Sequence, residues 1–132
     1  MSGENNNFKI KTVVLTISDK GSRGERKDLS GPVIKEMMEN IGAAIVYEEI
    51  IADQKEEIKQ SLIKIADQNK ADLILTTGGT GFAERDITPE ATLEVIEKEV
   101  PGIPEKIRAD TIFITPQAAL SRARAGIRNK RV

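Results

Sequence analysis

The stretch Asp72-Leu73-Ile74-Leu75-Thr76-Thr77-Gly78-Gly79-Thr80-Gly81 decides the fold of this chain. After Asp72 its residues are apolar or β-branched up to Thr77, without the alternation of a half-exposed strand. A strand covered on both faces reads this way. Glycines follow at once. They let the backbone approach a ligand closely, and their N–H groups, joined by Thr hydroxyls, can cradle phosphate oxygens. A tight connection that needs positive φ explains the same glycines. The run is not a P-loop, because no Gly-Lys-Ser/Thr follows it. It also fails the dinucleotide fingerprint: counted from Gly79-Thr80-Gly81, the third glycine position holds Glu84.

Outward from this strand the pattern repeats. Thr12–Ile17 (TVVLTI) is a second short apolar, β-branched run. A polar loop from Ser18 to Leu29 follows, and Ser30 is placed to cap a helix with Pro32 in its first turn. Val33, Ile34, Met37, Met38 and Ile41 recur at helical spacing up to Gly42. Ala44–Ile51 reads as another strand. Asp53 with Glu56 resembles a capping box, and Ile58, Leu62, Ile65 and Ala66 give the next helix its buried stripe. Thr88 and Pro89 predict a further helix start, as N-cap and N1. Helices are expected near Pro104–Asp110 and Pro116–Arg124.

Strands alternating with amphipathic helices imply an α/β fold with a parallel sheet and right-handed crossovers. If the Asp72–Thr77 strand pairs on the far side of the first, the order is 2-1-3. A crevice then opens at the carboxyl ends of strands 1 and 3, where ligands bind in open α/β sheets. Ser18-Asp19 and Thr77–Gly81 follow those ends.

Bulk properties narrow the chemistry. The chain has 132 residues, 39% of them hydrophobic and 31% charged, which suits one globular domain. It has no Cys and no His, so disulfides, the usual zinc sites and His-assisted nucleophiles are excluded. Acid–base or metal work falls to carboxylates, Lys, Tyr or backbone, and Mg²⁺ suits such oxygen donors. The net charge of −1 argues against a whole-surface nucleic-acid binder. The first residues, MSGENNN, lack a signal-peptide core, and no run is long enough to cross a membrane. The expectation is a soluble, cytoplasmic protein.

Four places can carry chemistry besides the glycine turn. Asp86 sits between that turn and a helix start, where a carboxylate can hold Mg²⁺ or form an Asx-turn. Asp53 follows strand 2, at the same sheet edge; from local sequence its capping role is the simpler account. The loop after Ser18-Asp19 carries Arg23, Arg26 and Lys27, which suits either phosphate binding or plain solvation. Arg122, Arg124, Arg128, Lys130 and Arg131 form either a solvated face or one wall of an anion site.

Together, TTGGTGF (Thr76–Phe82) and RDITPEAT (Arg85–Thr92) resemble the molybdopterin adenylyltransferases, relatives of the gephyrin G domain. TISD (Thr16–Asp19), SGP (Ser30–Pro32), VPG (Val100–Gly102) and LSRARAGIR (Leu120–Arg128) extend the match in order over residues 9 to 128. The resemblance implies a doubly wound, mostly parallel sheet flanked by helices on both faces. It implies a homotrimer that binds molybdopterin and Mg-ATP, moves AMP onto the pterin's terminal phosphate, releases pyrophosphate and hands its product to a molybdenum insertase. It implies essential carboxylates at Asp53 and Asp86, also the Mg²⁺ ligands. It implies substrate contacts from Ser18, Asp19, Thr76, Thr77, Gly78, Gly79, Thr80, Gly81, Thr88 and Ser121. A non-catalytic molybdopterin binder or trimeric scaffold is the alternative. Two features depart from the pattern: Glu84 stands where relatives often have a small residue or Pro, and relatives continue beyond Arg128 into a further strand, a Pro-Gly loop and a helix. The expected organisation is a flexible segment over 1–8, then one domain over 9–132 lacking those last elements.

Overall fold

A computed structural model describes residues 9–132. The expected flexible segment over 1–8 lies outside the described residues. Strand β1 (Lys11–Ile17) is central, with β2 (Ala44–Ile51) on one side and β3 (Leu73–Thr77) on the other. Both pairings are parallel, as expected, and the order is 2-1-3, the condition on which the crevice at the strand ends rested. The register sets Ile17 opposite Ile51 and Thr16 opposite Thr77. The three carboxyl ends therefore finish nearly level, and the segments that leave them share one edge, the first of them the short helix α1 (Asp19–Ser22).

Successive residues of β1 point to opposite faces. Val13, Leu15 and Ile17 join Ile51 in a core closed by Ile58, Leu62 and Ile65 of α3 (Lys55–Asp67) and by Ala91 and Val95 of α4 (Thr88–Val95). Fully burying Leu15 or Ile58 contributes about 1.5–3 kcal/mol each before the entropy cost. The α3 stripe is the one its spacing predicts. On the other face α2 (Ser30–Asn40) packs against β1 and β2, so helices cover both sides. Ile34 and Met38 of α2 are half-buried. Leu29, Val33, Met37 and Ile41 stay exposed as a stripe down the helix. Beyond α4, β4 (Lys98–Glu99) pairs antiparallel with β5 (Gly126–Ile127), and α5 (Gly102–Thr111) lies between them in the chain.

The helix starts differ from expectation. Ser30 is already helical, and the Asp28 carboxylate takes its place by accepting the Gly31 N–H at 3.0 Å. Asp53 and Glu56 form no capping box: α3 starts after Gln54 without a side-chain cap, because the Asp53 carboxylate is engaged elsewhere. Thr88 is the first residue of α4 rather than its cap, and its buried hydroxyl has no partner among the described residues. The helix expected over Pro116–Arg124 is only a 3₁₀ turn, Pro116–Leu120. Past Leu120 the chain is extended, which lets Arg122 reach back toward the glycine turn. Among the described residues, no helix is long and apolar enough to cross a membrane.

Candidate active site

The level strand ends frame a hollow of about 610 Å³. Ser18, Thr77, Gly78 and Gly79 line it, as do Asp53 and Asp86, and the Arg26–Ser30 segment forms another wall. Two of its glycines have no substitute. Gly78 has φ +99° and a side chain there would strike the Ile17 carbonyl. Gly79 has φ +70°, and its Cβ would overlap the Thr88 hydroxyl. Positive φ and close backbone packing thus account for both glycines, and the same packing leaves their backbone open to the hollow.

Asp53 is held by a reciprocal exchange. Its Oδ2 accepts the Asp19 N–H at 2.9 Å, and the Asp53 N–H donates to Asp19 Oδ1 at 2.9 Å. Arg85 donates to both oxygens of Asp19, with Nη2 3.0 Å from Oδ1, and to the Asp53 carbonyl at 3.2 Å. This guanidinium holds the Asp19 carboxyl below its ordinary pKa. Burial, followed by the Asp19 and Asp86 charges, pushes the Asp53 carboxyl up, against the pull of the Asp19 N–H and Arg85. A half-buried carboxylate near two others is costly to ionise, so an added cation would be welcome there.

Asp86 closes its own loop: Oδ2 accepts the Ala83 N–H at 3.0 Å, while the Asp86 N–H donates to the Ala83 carbonyl. Arg122 braces this loop from outside. It donates from its backbone to Thr80 O at 2.9 Å, from Nε to Gly81 O at 2.8 Å, from Nη2 to Asp86 O at 2.7 Å and from Nη1 to Glu90 at 2.7 Å.

The remaining expected residues are spread out. Thr76 lines a separate apolar cavity of about 220 Å³ behind β3, with Leu62, Leu73 and Ile107. Thr80 and Gly81 belong to the braced loop and do not line the hollow. Ser121 lies on yet another surface and accepts the Ala123 N–H. Thr88 sits beneath Gly79. The basic end forms no wall of the hollow. Arg122, Arg124 and Arg128 pair with Glu90, Glu99 and Asp67, and Arg131 donates to the Ala71 and Asn129 carbonyls. Arg85 carries no mark in the sequence except as part of a motif; only its place beside Asp86 signals it.

Asp53 Oδ1 and Asp86 Oδ1 accept no hydrogen bond among the described residues. Nor do the described residues form a cluster of three or more acidic ligands. Mg²⁺ usually takes one or two carboxylates and completes its shell with water and substrate phosphates. The donor set fits an ion that arrives with a phosphate ligand.

The chain is similar to known proteins. A family described as "Probable molybdopterin binding domain" matches residues 13–130. A molybdopterin adenylyltransferase of Helicobacter pylori (strain 26695) is 48% identical over 119 residues, covering 89% of this chain and 68% of that protein. The Escherichia coli K12 molybdopterin adenylyltransferase is 37% identical, covering 89% of this chain and 61% of its own length. The crystal structure of the molybdopterin biosynthesis enzyme MoaB from Thermus thermophilus superposes with a TM-score of 0.87 at 44% identity, covering 92% of this chain and 77% of that one.

Proposed function

This chain belongs to the family of the probable molybdopterin binding domain, and from that premise we propose that it is a molybdopterin adenylyltransferase acting in molybdenum cofactor biosynthesis. One observation carries the reading: Asp53 and Asp86 line the same hollow as the open glycine backbone at the carboxyl edge of the sheet. In the reaction an oxygen of the pterin's terminal phosphate attacks the α-phosphorus of ATP. A new P–O bond forms, the bond to the β-phosphate bridge breaks, and pyrophosphate leaves.

That step brings anions together, so catalysis is mostly alignment and charge neutralisation. The backbone of Gly78 and Gly79 receives phosphate oxygens, assisted by the Ser18 and Thr77 side chains. Arg26 and Lys27 face the polyphosphate from the opposite wall. Asp53 and Asp86 would hold Mg²⁺, which when bound neutralises charge on the reacting phosphates. Asp19 serves the site through Asp53 rather than as a ligand, because Arg85 already occupies both its oxygens.

The same reading includes a homotrimer in the cytoplasm that passes adenylylated pterin to a molybdenum insertase. Support for self-association comes from the bare α2 stripe and from Phe113 and Ile114, which are 91% and 82% exposed. Light scattering should give three times the chain mass at micromolar concentration; a monomer mass would exclude the trimer. The deciding experiment for activity is pyrophosphate release from ATP on adding molybdopterin. Release dependent on both substrates is expected. Tight pterin binding without release would make the protein a binder and not an enzyme.

A further inference from the structure

Resting on that reading of the site, we propose that Arg85 is its positioning residue, the one cation among the described residues that fixes the Asp86 loop to the segments carrying Asp19 and Asp53.

Three segments end at this edge: the residues after β1, after β2 and after β3. The first two are joined by the Asp19–Asp53 exchange at 2.9 Å each way. The third reaches them through Arg85, from Nε and Nη2 to Asp19 and from Nη2 to the Asp53 carbonyl at 3.2 Å. Arg85 is the chain neighbour of Asp86. Its anchorage therefore sets where Asp86 stands relative to Asp53.

Charge makes the anchorage matter. Asp19, Asp53 and Asp86 converge with one guanidinium among them. The other cation close to Asp19 is Arg23, and it is committed to Glu25 at 2.6 Å. Without Arg85 the carboxylates repel across an unbraced edge. A planar fork suits this anchorage, since it spans two carboxylate oxygens and a carbonyl, which a Lys ammonium cannot reproduce. A purely structural role fits poorly, because the Arg85 side chain is 56% exposed and packs little. An exposed pair of this kind contributes little to global stability.

The test uses Arg85→Ala and Arg85→Lys in the otherwise intact protein. Amide hydrogen exchange is read without ligand, and pyrophosphate release is read with ATP and molybdopterin. In Arg85→Ala, protection of the Asp19 and Asp53 amides should fall at least ~10-fold while the β1 amides of Val13 to Leu15 keep theirs. The kcat should fall by ~10–100-fold, the scale of a misplaced catalytic group, with KM for ATP within about threefold. Arg85→Lys should recover neither quantity. Unchanged protection at both amides overturns the proposal. So does full recovery in Arg85→Lys, and so does a rise in KM with kcat intact, which would make Arg85 a substrate contact. If the wild-type protein releases no pyrophosphate but protection falls as stated, the positioning role stands and the transferase reading fails.

Discussion

Two cationic stretches of this chain have opposite fates. The loop after β1 brings Arg26 and Lys27 to the hollow, and among the described residues neither joins an ion pair. The stretch from Arg122 to Arg131 holds more positive charge, yet its arginines are consumed by Glu90, Glu99, Asp67 and backbone carbonyls. In the sequence each stretch reads either as a solvated face or as part of an anion site. In the fold the second is a set of clamps. A count of charges therefore locates no site; the decisive property is which charges still lack a partner when the chain has folded.

The comparison breaks most sharply if the carboxylates facing the free cations prove idle. Asp53→Asn and Asp86→Asn should each lower adenylyl transfer by ~10² or more, the scale for losing a key electrostatic group. Thermal melts should show little loss for Asp53→Asn. Burial raises the Asp53 pKa, so ionising this carboxyl costs more in the folded protein than in the unfolded chain, and a neutral amide escapes that cost. Turnover at the wild-type rate in both variants would return the two residues to structural duty.

The clamps should register on the other axis. Arg122 holds Thr80, Gly81, Asp86 and Glu90 together. Arg122→Ala should lower stability by about 1–3 kcal/mol in urea melts, because carbonyls that it satisfied lose a charged donor. Transfer should drop by ~10-fold as the Asp86 loop loosens. A melt and a rate that both match wild type would show that the loop keeps its shape unaided.

Much of this is legible in the sequence alone, and the failures share a cause. Periodicity reports burial, so the α3 stripe of Ile58, Leu62, Ile65 and Ala66 and the parallel pairing of the three strands come out as expected. Caps are misread because the residues that cap a helix are also those that bind across the fold. Asp53 looks like a cap for α3, but its carboxylate is taken by the Asp19 N–H, 34 residues earlier. Asp28 caps α2 from a position that local rules assign to Ser30. The bracing roles of Arg85 and Arg122 carry no local signal, since their side-chain partners lie 32 to 66 residues away. Contacts of that range depend on the sheet order, which the local pattern does not encode.

The free cations themselves come next in size. Replacing Arg26 and Lys27 together by Ala should raise KM for ATP about tenfold at low salt, equal to ~1.4 kcal/mol of lost attraction. The kcat should hold within about threefold, as it does for side chains that bind a substrate equally in ground and transition states. The effect should shrink as salt rises, since exposed charges are screened. A KM identical to wild type at low salt would mean that the loop is merely solvated, and the contrast between the two stretches would lose its functional side.

The smallest effect tests whether a clamp remote from the hollow is structural alone. Arg128 pairs with Asp67 at 2.9 Å and also donates to the Val95 carbonyl at 2.8 Å, tying β5 to α3 and α4. The guanidinium holds the Asp67 carboxyl below its ordinary value of 3.8. For an acid whose folded pKa is depressed, the contribution is fully present above the unfolded value and fades as pH falls through the folded one. Asp67→Asn should therefore melt slightly lower than wild type at pH 7, with both curves converging below the ordinary Asp range. Added salt should also narrow the gap at pH 7, because both partners are partly solvent-accessible. Transfer by Asp67→Asn should match wild type at every substrate concentration. A loss of activity without a shift in melting would carry the influence of this clamp through α4 to Thr88 and the glycine turn, and the division between free and consumed charges would no longer separate site from scaffold.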